Sequence, residues 1–569
     1  MSDDVVDLAT AWRAEDPDPE TCAELDEILP GARAGNPVSL AALRDRFGAR
    51  LQFGTAGLRG LLGAGPSRMN RVLVRRVAAG LADYLIANAP DATTRGVAIS
   101  YDGRKNSRIF AEDSARVLAA RNIAVHLSHR AWPTPVAAWL VGRLGAAAGV
   151  MVTASHNPPE YNGYKVYWDN GAQIIPPHDA GIAAAIDTIT GAPPMAELSD
   201  AKIATIEEAL HDEYVAKVIA LRTSAPPKTE LRVAYTPLHG VGAASVEAVF
   251  AAANVGPLHV VAPQRDPDPA FPTVAFPNPE EQGAMDAVVE LGAKIDAELI
   301  VANDPDADRL CVAVPDGTVA RYRILTGDQV GALLADYLLA TSTVAGKRLV
   351  STTIVSSQLL GFLAESTHVD YRETLTGFKW IANAAIDWKA RTGGTFVMGY
   401  EEALGYTVGE LVRDKDGVSA ALIFADLVAW TRAHNKSVLE YLADIYRRVG
   451  LFVTEQVSWT LPGADGLDKM RQTMDRFRTT PPSEIAGIRI DSTTDLSRGA
   501  DGLPPADVLV FRLDGGRRVI MRPSGTEPKL KSYYEVRVTV GDESLDAART
   551  RGHNELARLR DAHQSMLKG

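Results

Sequence analysis

Apolar residues recur along this chain with two periods, and the change between them maps its organisation. Short, wholly apolar runs read as buried strands. They alternate with stripes of helical spacing. The first set of strands is expected at 96–100, 123–127 and 149–152. Helices are expected over 70–87, where Val72, Val74, Val77, Leu81 and Leu85 form one stripe, from a Ser107 cap to about residue 121, and over 134–143. A second set has strands at 231–235, 299–302 and 310–314, with helices over 242–252 and 283–292. A third has strands at 347–353, 369–373 and 395–398, with helices over 357–364 and 379–391. Strand–helix alternation of this kind predicts α/β units, here three in succession. After about residue 451 strands dominate, at 452–459, 488–491, 508–513, 518–521 and 535–539. An amphipathic helix over 544–567 closes the chain, and this last unit reads as α+β.

Four domains follow from this reading: 1–218, 219–325, 326–447 and 448–569. Residues 3–50 read as a charged helical lead-in on the surface. Residues 263–279 hold six prolines and are expected to lack regular structure. At 569 residues the chain is too long for one core. Its formal charge of −12 argues against nucleic acid or an anionic membrane as partner, but not against a small anionic substrate in a local basic pocket. Two cysteines, Cys22 and Cys311, provide neither a disulfide framework nor a cysteine metal site. With no leader-like or membrane-length apolar run, the expected location is the cytoplasm.

Four short stretches carry chemistry. Thr153-Ala-Ser155-His156-Asn-Pro158 follows a buried strand. The prolines at 158 and 159 bar a helix, and Asn162-Gly163 signals a turn. A hydroxyl at a strand exit, with His156 beside it and Lys165 ten residues on, is a candidate nucleophile. Asp304-Pro-Asp306-Ala-Asp308-Arg309 lies between two apolar strands. Three crowded carboxylates repel one another unless a cation neutralises them. The pattern fails the calcium-loop template and suits Mg²⁺. Glu401 and Glu402 form a carboxylate pair at another strand exit, suited to sugar hydroxyls or acid–base work. Arg522-Pro-Ser524-Gly525-Thr526 with Lys529 offers a guanidinium, hydroxyls and a permissive glycine, a set that suits a phosphate. Thr376-Gly377-Phe-Lys379 closes a third strand, where Lys379 could meet a ligand.

Together these loops resemble the α-D-phosphohexomutases over nearly the whole chain, with Thr376–Trp380 and Glu401–Gly405 most like the phosphoglucomutase-2 and phosphopentomutase branch. The resemblance implies three related α/β domains and an α+β domain around a central cleft. It implies a phosphoserine at Ser155, with Mg²⁺ between that phosphate and Asp304, Asp306 and Asp308. Glu401 would read sugar hydroxyls, and Arg522, Ser524, Gly525 and Thr526 would hold the non-reacting phosphate. Lys165 and His156 match positions of proton transfer or phosphate contact, and Arg59 and Arg309 match active-site arginines. Thr376, Gly377, Lys379, Glu402 and Lys529 complete the expected substrate-binding set. The expected reaction interconverts glucose 1-phosphate and glucose 6-phosphate through a sugar bisphosphate. Pentose or mannose phosphates are alternatives, because Ala403 stands where many hexose mutases have Ser. The partners implied are sugar phosphates alone, with the chain a monomer or homodimer. A metal-dependent sugar phosphatase and a non-catalytic sugar-phosphate sensor are the rival functions.

Overall fold

The apolar runs of the first half fold as the centres of two sheets. In the computed structural model, which describes residues 2–568 apart from 55–56, 224–228, 319–320, 462–464, 501 and 525–528, strand Ala148–Val152 is buried along its whole length. It pairs in parallel with Val97–Tyr101, which pairs in parallel with Val125–Ser128; Ile203–Ile206 extends that edge. On its other side Tyr161–Trp168 and then Leu58–Leu61 add antiparallel. Helices Ser107–Ala120 and Thr134–Leu144 pack on the sheet, and Arg71–Asn88 packs on the former. Strands covered on both faces have no polar face, so they read as continuous apolar runs. The second sheet runs, in spatial order, Tyr322–Ile324, Cys311–Pro315, Leu299–Ala302, Thr229–Thr236 and Val255–Val260. Its last three strands are parallel.

These two sheets lie in one of two compact units, Met1–Leu325 with Ala403–Trp430. The other unit is Thr326–Glu402 with Thr431–Gly569. There Arg348–Thr353 lies between Asp370–Thr374 and Thr395–Glu401, all parallel. An antiparallel sheet follows, in the order Leu451–Thr460, Lys529–Val538, Arg517–Pro523, Leu509–Leu513, Ile488–Asp495 and Glu484–Ile485. Helix Leu545–Lys568 packs on the first two of these strands. The three α/β patterns and the α+β tail are thus present as sheets packed with helices.

Several local expectations are corrected. Asn162-Gly163 is not a turn but the interior of strand Tyr161–Trp168. Tertiary pairing overrides the turn propensity here. The buried Asn162 amide donates to Lys105 O at 2.8 Å and Ser107 Oγ at 3.0 Å. A Cβ at Gly163 would come within 2.5 Å of Thr153 O and 2.8 Å of Leu58 O, so only glycine lets the two neighbouring chains approach. Ser107 is not the cap. Asn106, with φ 66°, occupies that position, and the Ser107 hydroxyl donates instead to Asp102 at 2.6 Å. The lead-in is not a surface decoration. Three helices, Ser2–Glu15, Pro19–Arg33 and Pro37–Phe47, share a core of Val5, Trp12, Leu25, Leu29, Leu43 and Phe47 that closes on Ala64 and Val72. Helices Gly327–Thr341 and Gly466–Thr479 also lay outside the sequence expectations. The first is buried nearly all round, so it shows no stripe.

Gly327–Thr341 begins with a capping box between Thr326 and Gln329. In its first turn the buried Asp328 accepts from Ser357 N at 2.8 Å and from the Tyr400 hydroxyl at 3.1 Å. Burial, together with the charges of Glu402 and Glu535, pushes its carboxyl up to about 7. In the unfolded chain an aspartate titrates near about 4. The native state therefore holds an extra proton between those values, and the stability linked to this group falls as pH rises through 7. Asp328→Asn keeps an oxygen for both accepted bonds and removes the ionisation. Its melting temperature should therefore gain on the parent more at pH 8 than at pH 5. Calorimetry at the two pH values checks this, and equal differences would refute it.

Candidate active site

Ser155 sits three residues beyond the end of Ala148–Val152, at the carboxyl end of a parallel strand, where open α/β sheets bind ligands. Its backbone is left-handed, with φ 52°. The amide donates to Thr153 Oγ1 at 2.8 Å. The hydroxyl donates to Asp304 Oδ2 at 2.9 Å and lies 3.1 Å from His156 Nδ1. Arg59, on the edge strand Leu58–Leu61, is exposed and donates to Asn157 Oδ1 at 3.0 Å in the same loop.

Asp304, Asp306 and Asp308 leave the carboxyl end of Leu299–Ala302 and are fully buried. One ligand oxygen from each lies within 4.8 Å of the others. Lys165 Nζ, projecting from Tyr161–Trp168, donates to Asp306 Oδ2 at 2.8 Å and Asp308 Oδ2 at 3.0 Å. Arg309 N donates to Asp304 Oδ1 at 3.0 Å, and its guanidinium donates to Glu280 at 3.1 Å. The charges shift accordingly. Burial, then Asp306 and Asp308, raise the Asp304 carboxyl well above the usual range. Burial opposes ionisation of Asp306 too, but Lys165 and the Thr134 hydroxyl hold it low. Burial would lower Lys165, yet Asp306 and Asp308 keep it above its ordinary value. Burial, with Arg309 and Arg59, pushes His156 well below its own. Asp306 Oδ1 and Asp308 Oδ1 are buried without a hydrogen-bond partner among the described residues. Two bare carboxylate oxygens beside a raised carboxyl fit a hard divalent cation.

Three participants escaped the sequence reading. Thr134 donates its hydroxyl to Asp306 Oδ2 at 2.6 Å and its amide to Asp306 O at 2.9 Å. Arg104 contacts the carbonyls of the Ser155 loop. Lys415 lies 3.2 Å from Asp308 and 3.5 Å from Asp414, which accepts from Tyr167 and Gln173. Gly417 makes this approach possible. A Cβ there would come within 2.3 Å of Arg309 O. The only sequence signal was the Asp414-Lys415-Asp416-Gly417 cluster.

In the other unit Glu401 ends strand Thr395–Glu401 and accepts from Gly377 N at 2.7 Å, so the expected Glu401 and Gly377 meet. Glu402 accepts from the Ser356 hydroxyl at 2.7 Å. The Thr376 hydroxyl is buried without a hydrogen-bond partner among the described residues. Lys379 is buried, with its ammonium 5.3 Å from the Trp380 ring centroid. Arg522 lies within strand Arg517–Pro523 rather than after it, opposite Lys531. Ser524 N donates to Lys529 O at 2.8 Å. Gly525 and Thr526 lie outside the described residues.

Four family models match the chain in order. They are the phosphoglucomutase/phosphomannomutase α/β/α domains I, II and III, over 50–192, 212–317 and 326–449, and the C-terminal domain over 474–548. A probable phosphomannomutase of Haemophilus influenzae is 40% identical over 486 residues, covering 84% of this chain and 95% of the relative. The phosphopentomutase of Homo sapiens is 35% identical, covering 92% of this chain and 90% of its own. In fold, the chain is similar to the open form of pp63/parafusin, a phosphoglucomutase of Paramecium, at a TM-score of 0.69 and 17% identity, covering 91% of this chain and 95% of that one. It is likewise similar to a putative phosphomannomutase of Thermus thermophilus, at 0.67 and 20%, covering 92% and 100%. Fold and family models together define an enzyme of intramolecular phosphoryl transfer, an isomerase acting on phosphosugars. The chain belongs to the phosphoglucomutase/phosphomannomutase family of the α-D-phosphohexomutase superfamily. That family is metal-dependent, and the buried aspartate triad could bind a metal. Among the described residues no helix is long and apolar enough to cross a membrane.

Proposed function

We propose that this mutase interconverts glucose 1-phosphate and glucose 6-phosphate, with Ser155 as the phosphoryl carrier. The observation that carries the reading is the Ser155 hydroxyl 2.9 Å from Asp304, beside a buried triad with two oxygens that have no hydrogen-bond partner among the described residues. Asp304, Asp306, Asp308 and the Ser155 oxygen would hold Mg²⁺, which neutralises phosphate charge when bound. Phospho-Ser155 passes its phosphoryl to the free sugar hydroxyl. The P–Oγ bond breaks as the sugar O–P bond forms, and the product is a bisphosphate. After the sugar turns round, the other phosphate returns to Ser155. Lys165 or His156, whose Nδ1 lies 3.1 Å from the Ser155 oxygen, would carry the proton from the sugar hydroxyl to Ser155 Oγ. Lys165, Arg59 and Arg309 supply positive charge around the moving phosphoryl group. Glu401, Glu402, Thr376, Gly377 and Lys379 serve the sugar, and Arg522, Ser524, Gly525, Thr526 and Lys529 serve the phosphate that is not reacting. These four roles follow the divisions 1–218, 219–325, 326–447 and 448–569. The two free, buried cysteines suit a reducing cytoplasm.

Ala403 favours a second reading as a phosphopentomutase, because it removes one potential hydroxyl contact to a hexose. Full-length similarity to human phosphopentomutase supports the same alternative. Coupled assays with glucose 1-phosphate, ribose 1-phosphate and mannose 1-phosphate, each primed with its bisphosphate, separate the readings. A kcat/KM for ribose 1-phosphate above that for glucose 1-phosphate selects the second.

Arg522 tests the two-orientation scheme. A guanidinium–phosphate pair is bidentate and charge-assisted, so its loss should remove roughly 2–4 kcal/mol of transition-state stabilisation. Arg522→Ala should lower kcat/KM in both directions by similar factors, while phospho-Ser155 still forms. A defect in one direction only would place Arg522 elsewhere in the reaction.

A further inference from the structure

The proline-rich segment 263–279 has no role in the scheme above, yet its side chains converge on the Ser155 loop. Phe271 is buried in a left-handed conformation, φ 47°, with its ring centroid 5.0 Å from the Arg104 guanidinium carbon. Pro267 closes against Gly103, where a Cβ would lie 2.6 Å from its ring. The Phe276 ring lies 6.5 Å from that of His156.

Beneath Phe271 the buried Arg104 gathers four carbonyls of one loop. One terminal nitrogen donates to Ser155 O at 2.6 Å and Asn157 O at 2.5 Å. The other donates to Pro158 O at 2.9 Å and Tyr161 O at 3.3 Å. Asp102 braces it from behind, 3.4 Å from Nε, and accepts the Arg104 amide at 3.0 Å. Only a guanidinium can donate along several fixed directions in one plane, and lysine cannot reproduce the set. These bonds bracket a serine whose left-handed backbone is unfavourable for a residue with a Cβ, and such strain persists only when its surroundings over-determine it.

We propose that Arg104, pressed from above by Phe271, is a positioning residue that locks Ser155 so that its phosphoryl group goes to a sugar hydroxyl and not to water. The inference rests on the phosphoserine reading. In transfer, the P–Oγ bond breaks as a sugar oxygen attacks, and the proton of that hydroxyl ends on Ser155 Oγ, which is left as a free hydroxyl. In hydrolysis the same bond breaks with a water oxygen attacking, leaving the Ser155 hydroxyl and inorganic phosphate. A loop free to swing gives up alignment for the first reaction and admits the second. The proline-rich segment is thus a strap whose rigidity keeps Phe271 in place.

The test uses the full chain with Mg²⁺ and glucose 1,6-bisphosphate. It compares Arg104→Lys and Phe271→Leu with the parent for kcat, KM, melting temperature and inorganic phosphate released per turnover. Arg104→Lys is expected to lower kcat by about 100-fold with KM within about threefold, the cost of a reacting group displaced by about an ångström. Phosphate release per turnover should rise by about tenfold in Arg104→Lys, and by a smaller factor in Phe271→Leu. If Arg104→Lys does not fold, Phe271→Leu decides alone. Unchanged phosphate release per turnover overturns the proposal, even where stability falls, because a merely structural role predicts that outcome. Failure of the parent Ser155 to take up phosphate from the bisphosphate overturns the underlying reading, and the proposal with it.

Discussion

Replacing Ser155 with alanine is expected to lower mutase turnover by roughly four orders of magnitude or more, as loss of a covalent nucleophile does elsewhere. The hydroxyl is the only group removed. It bonds Asp304 and faces His156, and neither contact holds the sheet together. Stability should therefore change by no more than about 1 kcal/mol, as for substitutions outside a packed core. Intact-mass analysis of the parent after incubation with bisphosphate should show one added phosphate, mapping to the peptide that holds Ser155. The alanine variant should show none. Full turnover by Ser155→Ala would end the phosphoserine mechanism for this chain.

The second large effect is expected at Asp306. Its Oδ2 is committed to Lys165 and Thr134, while its Oδ1 has no hydrogen-bond partner among the described residues. Asparagine can keep the first two bonds through its amide oxygen but removes the charge that a cation would meet. Asp306→Asn should therefore fold, need much more Mg²⁺, and lose kcat/KM by roughly 10²–10³-fold even at saturation, the scale of one lost charge-stabilising group. A Mg²⁺ titration of the initial rate checks this. A wild-type rate with wild-type metal dependence would move the metal elsewhere. Chelation of the parent should abolish activity, and added Mg²⁺ should restore it.

Both predictions rest on motifs that were legible before any coordinates. The Ser155 loop and the Asp304–Asp308 loop each follow an apolar strand, and such a loop shows itself by where the apolar run stops. Alternate carboxylates are local as well, since three of them crowd whatever the distant chain does. The α/β alternation was legible for the same reason. Periods of two and 3.6 are set by backbone geometry, and buried strands announce themselves as unbroken apolar runs.

What the sequence by itself determined, then, was the alternation of strands and helices, the ends of strands where chemistry sits, and the residue types offered there. Tertiary structure decided the rest. Lys415 lies 3.2 Å from Asp308 where Gly417 lets two backbones approach closely. Thr134 braces Asp306, and Arg104 gathers the carbonyls of the Ser155 loop, from elements that carry no motif. Asn162-Gly163, a turn by propensity, became strand because Gly60 and Arg59 paired with it on one side and Thr153 N bonds Gly163 O on the other. Gly327–Thr341 showed no stripe because its burial is nearly complete. The physical reason is common to all of these. Local patterns record what a segment does with its own backbone and with water. Which distant side chain fills a given space is settled by strand order and close packing, and no window along the chain contains that information.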